Sequence, residues 1–148
     1  MSDFLSTPEG VVECLYAAIS FPPGEKPNYN LVFTLFHPNA HVTPPAGDTG
    51  GAIKPLSVQE FIEHFDDRIE DIISIGGREE QIDCKSEKFH SVSHVFSSYR
   101  FFLLNKEEPI ARGVNSFQLV FENGRWWILS LAWDRAQAGE SIDFTSKE

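Results

Sequence analysis

The dipeptide Asn123-Gly124 lies between Phe121-Glu122 and Arg125-Trp126, at the junction of two strand-like runs, Ile110 to Phe121 and Arg125 to Trp133. An Asn-Gly pair is the preferred two-residue hairpin loop, because both positions need a positive φ that these residues tolerate. The loop fixes a pairing register, and register sorts side chains between two faces. Phe121 then pairs with Trp126, Leu119 with Ile128, Phe117 with Ser130 and Asn115 with Ala132, and Asp134 shares their face. The other face takes Val114, Ser116, Gln118, Val120, Trp127, Leu129, Leu131 and Trp133.

Upstream, the pattern predicts strands over residues 79–89, 92–104 and 110–121, followed by the last one over 125–133. Short connections make these four strands an antiparallel meander. With His90-Ser91 as the earlier loop, Cys84 pairs with Ser97 and Ile82 with Tyr99, and Val95, Phe101 and Leu103 join that face. Asp83, Lys85, Glu87, His94, Phe96 and Arg100 fall on the opposite, more polar face. A bulge in the long 92–104 strand would flip part of this assignment.

The first half reads as helices. Ser6 and Glu9 have capping-box spacing ahead of a stripe of Val11, Cys14 or Leu15, and Ala18, which Phe21-Pro22-Pro23-Gly24 stops. Asn28 caps a short helix from Tyr29 to Phe36. Residues 41–55 are rich in Pro and Gly and read as a loop with a short strand at 41–43. Ser57 and Glu60 form a second capping box before Val58, Phe61, Ile62, Phe65, Ile69, Ile72 and Ile73, a helix expected to run to Gly76-Gly77. Three helices followed by a meander define an α+β fold, and 148 residues favour one domain, with its core over about 8–135 and a polar tail over 136–148.

Charge narrows the partners. Residues 1–74 carry 3 basic and 11 acidic side chains, and residues 75–148 carry 9 and 11. No basic cluster offsets the acidic half, so a nucleic-acid partner is not expected. No apolar run approaches the ~20 residues that span a bilayer, and no leader peptide precedes the first helix, so no membrane partner is expected and a cytoplasmic location is. Cys14 and Cys84 match no metal or redox spacing and are expected as buried, reduced thiols. No cofactor signature is present: there is no glycine-rich phosphate loop, nucleophile elbow or zinc spacing.

The segment Tyr29-Asn30-Leu31-Val32-Phe33-Thr34-Leu35-Phe36-His37-Pro38-Asn39-Ala40 resembles the second helix and exit of the nuclear transport factor 2-like superfamily, which includes the SnoaL-like cyclases. Ser93 to Tyr99 resembles its second long strand. Arg112 to Leu119 and Asn123 to Ser130 resemble its closing hairpin. The resemblance implies a cone: a strongly curved sheet wrapping a long helix around a cavity. It also implies back-to-back sheet dimers, and members that are isomerases, cyclases, dehydratases or non-catalytic modules. Function on such a fold is decided by the site.

Within that frame the expected pocket wall is Ser97, Tyr99, Asn115, Phe117, Trp126 and Ser130, joined by Cys84 and Asp134. Phe96, Gln118, Trp127, Leu129, Leu131 and Trp133 make the expected homodimer face, since monomers seldom leave such a patch bare. Three residues are candidates for catalysis. Tyr99 can donate to a developing oxyanion, Asp134 can act as a general base if desolvated, and His41 is a second base beside the loop. His37 and His41 do not share a helical face and make a poor metal pair. His64 is expected in a solvated pair with Asp67, and His94 across from Glu87. The functional expectation is a small, largely apolar ligand in the cone, with lyase- or isomerase-type chemistry open. The alternative is a non-catalytic dimerisation or partner-binding module with a filled cavity.

Overall fold

The computed structural model describes residues 3–144. After a 3-10 turn at Asp3–Ser6, helix α1 spans Pro8–Ile19. Its cap is Thr7, one residue after the Ser6 expected, and the Thr7 side chain accepts from the Gly10 N–H at 3.0 Å. Ser6 instead donates to the Asp3 carbonyl. Pro8 occupies the first turn, where its missing N–H costs nothing. Val11, Val12, Leu15, Tyr16, Ala18 and Ile19 are all buried, a wider stripe than expected.

Helix α2 spans Tyr29–Leu35, capped by Asn28 through the Leu31 N–H. Helix α3 spans Val58–Arg68, and its capping box forms in both directions between Ser57 and Glu60. It stops well before Gly76. Residues 69–75 continue as hydrogen-bonded turns, with Ile72 donating to Ile69 and Ile75 to Ile72. Continuation would place Glu70 and Asp71 in a final helical turn, where negative charge opposes the exposed carbonyls.

The strands are β1 (Phe36–Thr43), β2 (Leu56–Ser57), β3 (Gly77–Phe89), β4 (Val92–Leu103), β5 (Ala111–Glu122) and β6 (Arg125–Arg135). They form one six-stranded sheet in the order β2-β1-β6-β5-β4-β3. The expected four-stranded meander is present as β3 to β6, but it is not the whole sheet. β1 adds to β6 in parallel, and β2 pairs antiparallel to β1. The expected three N-terminal helices are therefore interrupted, since β1 and β2 precede α3.

Asn123 (φ 55°) and Gly124 (φ 82°) make the tight turn between β5 and β6 as their sequence requires. His90 (φ 52°) turns β3 into β4. Two bulges then change the faces. In β6, Leu119 pairs with Ile128 and Gln118 with Ser130, leaving Leu129 extra. In β3, Gln81 pairs with Tyr99 and Asp83 with Ser98, leaving Ile82 extra. The bulge lies in β3 rather than in the 92–104 strand. Each extra residue reverses the alternation beyond it and bends its strand.

Helix α1 packs across β3, β4 and β6 on the inner face. The core joins its stripe to Val32, Leu35, Phe36, Val42, Phe61, Val95, Phe117, Leu119, Trp126, Ile128 and Leu131. The chain beyond β6 is not a free polar tail. Arg112 donates to the carbonyls of Gln137 and Glu140, Ile142 is buried, and Phe144 stacks on Phe96 at 5.3 Å on the outer face. Residues 145–148 of the expected tail lie outside the described residues. Among the described residues no helix is long and apolar enough to cross a membrane.

Candidate functional site

The inner face and the helices leave a cavity of about 430 Å³. Its apolar wall comes from α1 (Leu15, Ile19), α3 and the turns after it (Phe61, Phe65, Ile69, Ile72) and the sheet (Phe101, Leu131, Trp133). Four polar side chains stand in this wall: Tyr16, Glu79, Tyr99 and Asn115. A mostly apolar cavity with a few placed polar groups is the usual form of a small-molecule site.

Three of the four belong to one hydrogen-bonded array. The Asn115 amide donates to the Tyr16 hydroxyl at 2.9 Å, and Tyr16 meets the Ser97 hydroxyl at 2.7 Å. Ser97 donates onward to the Gln81 side-chain carbonyl at 2.6 Å, so the proton between Tyr16 and Ser97 belongs to Tyr16. The second N–H of Asn115 faces the carboxyl of Glu79. Burial pushes that carboxyl up to about 7, and the Asn115 bond opposes the rise only in part. Glu79 is thus an acid/base group that changes charge near neutrality.

Tyr99 differs from Tyr16. Its hydroxyl has no hydrogen-bond partner among the described residues. Burial, and then the charge of Glu79, raise both phenols, so each stays protonated at neutral pH. Tyr99 therefore presents a free O–H donor to the cavity. Its ring crosses β5 at Gly113, where a Cβ would come within 2.7 Å of the hydroxyl and would also strike the Asp134 carbonyl.

The rim carries the charges. Arg135 grips Asp48 with both terminal nitrogens, at 2.9 and 2.8 Å, and Arg68 approaches the same carboxylate at 3.4 Å. Asp48 is only 8 % exposed, and the Arg135 fork holds it below the usual carboxylate range. His64 lies one turn before Arg68 and also lines the cavity, where burial and then Arg68 push its imidazole down. It does not form the solvated Asp67 pair expected.

The expected residues divide between the faces. Tyr99 and Asn115 line the cavity. Ser97, Phe117 and Trp126 face inward but are packed in the core around it. Ser130 is exposed on the outer face, because the Leu129 bulge turns it around. The same bulge sends Asp134 out, where its carboxylate accepts from the Arg135 N–H. It brings Leu131 and Trp133 in, so they leave the expected dimer face for the cavity. Phe96, Gln118, Trp127 and Leu129 remain outside. His41 is exposed, on the outer face with its strand neighbour Ser130. Of the three catalytic candidates only Tyr99 reaches the cavity.

His94 meets Glu87 at 3.1 Å, the cross-strand pair expected. Cys14 and Cys84 are half-buried free thiols, each pushed up by burial, which leaves them poor nucleophiles. Among the described residues no three His, Cys, Asp or Glu side chains gather as a metal site.

Glu79 and Tyr16 escaped the sequence reading. Without the Ile82 bulge, Glu79 falls on the outer face with Asp83. The available signal was the adjacent pair Glu79-Glu80, since consecutive strand residues point to opposite faces and one carboxylate must turn inward. For Tyr16 it was the run Val12, Tyr16, Ile19, a second line beside the stripe that was read.

This architecture is the cystatin-like fold of nuclear transport factor 2-like proteins. Solved structures that share it include a protein of unknown function from Nostoc punctiforme, with TM-score 0.65 and 11 % identity over 90 % of this chain and 96 % of that one. A second, from Novosphingobium aromaticivorans, has TM-score 0.62 and 7 % identity over 76 % and 71 %. A third, from Shewanella frigidimarina, is provisionally described as a ketosteroid isomerase, with TM-score 0.52 and 16 % identity over 72 % and 81 %. No family profile and no curated protein sequence matches this chain.

Proposed function

We propose that this protein binds a largely apolar, carbonyl-bearing small molecule in its cavity and moves a proton on it, in an isomerase- or lyase-type reaction. The observation that carries this reading is Glu79, a carboxyl raised to about 7 inside an apolar cavity and beside the free hydroxyl of Tyr99. A general base works best with a pKa near the operating pH. Ionised Glu79 takes a proton from the carbon next to the carbonyl. Tyr99 donates to the carbonyl oxygen as negative charge develops there, and protonated Glu79 returns the proton either to the same carbon or to the γ-carbon of the conjugated enolate, which moves the double bond. The Asn115–Tyr16–Ser97–Gln81 array holds the wall behind Glu79 in place. The Shewanella frigidimarina neighbour's provisional description agrees with this chemistry.

The test is proton exchange and double-bond migration on a panel of β,γ-unsaturated ketones in heavy water, followed by NMR. Wild-type turnover should rise with pH through an apparent pKa near 7. Glu79→Gln should lose about 10²–10⁴-fold and the pH dependence with it. Tyr99→Phe should lose about 10²-fold with the pH profile kept. A Glu79→Gln variant as active as wild type ends the proposal. The alternative, a non-catalytic module with a filled cavity, fits poorly with 430 Å³ of lined space.

A further inference from the structure

Three of the chain's six arginines, Arg68, Arg112 and Arg135, line this one cavity, in a protein of net charge -10. Two of them are committed. Arg135 spends its fork on Asp48, and Arg112 spends both terminal nitrogens on the carbonyls of Gln137 and Glu140. Arg68 is not. Its one ion pair among the described residues is a 3.4 Å approach to Asp48, a carboxylate already held bidentately, and its side chain is 49 % exposed. Most of its five N–H donors have no partner among the described residues, and Arg68 lines the cavity.

The charges there do not cancel. Among the lining side chains three guanidiniums outnumber one ionised aspartate and a glutamate that is partly protonated at neutrality, while the charge of Asp134 reaches Arg135 from the outer face. An apolar chamber edged with excess positive charge matches an organic anion with a hydrophobic body. A guanidinium matches a carboxylate best, because its planar fork reaches both oxygens.

We infer that the ligand is an apolar molecule bearing one carboxylate, which Arg68 holds at the rim while the body of the molecule fills the cavity toward Glu79 and Tyr99. This deepens the proposed function and rests on the same cavity. It also gives that reaction a direction: the anionic end stays at the rim, away from the carboxyl that must ionise.

Isothermal titration of the full-length protein with biphenylcarboxylate and with its methyl ester separates the two ideas. In wild type the carboxylate should bind about tenfold more tightly than the ester, and added salt should narrow the gap. Arg68→Gln should weaken the carboxylate by about tenfold and leave the ester within about twofold, which also shows that the variant is folded. Arg68→Lys should fall between, since an ammonium keeps the charge but not the fork. Equal wild-type affinities, or an Arg68→Gln variant that weakens both probes alike, overturn the anion assignment while the cavity reading stands. If neither probe binds at millimolar concentration, both readings fall together.

Discussion

At the scale of single residues, Glu79 makes a claim about stability as well as chemistry. Its folded-state pKa lies above its ordinary value of 4.5, at about 7. The folded protein therefore holds a proton that the unfolded chain releases first. The stability linked to that proton is fully present below about pH 4.5 and is lost as pH rises through about 7. Glu79→Gln, which cannot ionise, should match wild type in urea unfolding at pH 4 and exceed it at pH 8, by on the order of 1–3 kcal/mol. Asp48 runs the other way. Arg135 holds it low, so its contribution is present above its ordinary 3.8 and fades as pH falls through its lower folded value. Asp48→Asn should cost about 1–3 kcal/mol at pH 7, read by the same unfolding curves. What was legible at this scale was residue type: Tyr99 and Asn115 could be picked as pocket residues. Asp134 and His41 could not be excluded, because chemical suitability carries no information about which face a strand residue takes.

Elements were legible where local chemistry decides them. The Asn28 cap, the Ser57–Glu60 box and the Asn123-Gly124 turn all fall where their side chains require. Two features could not be read locally. β1 joins β6 across most of the chain, and its eight residues include Pro38 and the irregular stretch between Phe36 and His41, which obscures any alternation. The bulges at Ile82 and Leu129 add one residue each without a Gly to mark them. Their effect is large, because Glu79, Leu131 and Trp133 all lie beyond a bulge as counted from the hairpin loop. β5 offers a direct test of how closely the sheet holds Tyr99. Gly113→Ala puts a methyl group against the Tyr99 ring and the Asp134 carbonyl. It should cost about 1–3 kcal/mol in urea unfolding and lower turnover as Tyr99→Phe does, because the hydroxyl must move. A variant with wild-type stability would mean that the ring and strand yield freely.

For the molecule as a whole, the class of fold was legible from the order of its elements and the resemblance in its strands. The lining of the cavity was not, since it depends on the two bulges and on the turns after α3 that carry Ile69 and Ile72; nor was the return of the chain after β6 onto Phe96. That return also bears on assembly. The homodimer expected from the sequence stays a proposal, on a smaller face of Phe96, Gln118, Trp127 and Leu129. Part of this face already has neighbours. Phe144 lies on Phe96, and the Arg125 guanidinium stacks 3.6 Å above the Trp127 ring. Sedimentation velocity should show a dimer for wild type and a monomer for Phe96→Glu. A wild-type monomer at every concentration would assign the cover of Phe96 to the chain's own Phe144.

The single extra residue at 129 also has a genetic consequence. Losing that one codon would alter no other amino acid and would leave every later pair as it stands, with Ser130 opposite Gln118 and Leu131 opposite Phe117; only the bend would go. Leu129 is thus a spare position in the strand, as a whole inserted codon is in a gene: the frame on either side does not depend on it. Tolerance to substitution at Leu129 and tolerance to its deletion are separate quantities, the first a matter of its side chain and the second of the strand's curvature.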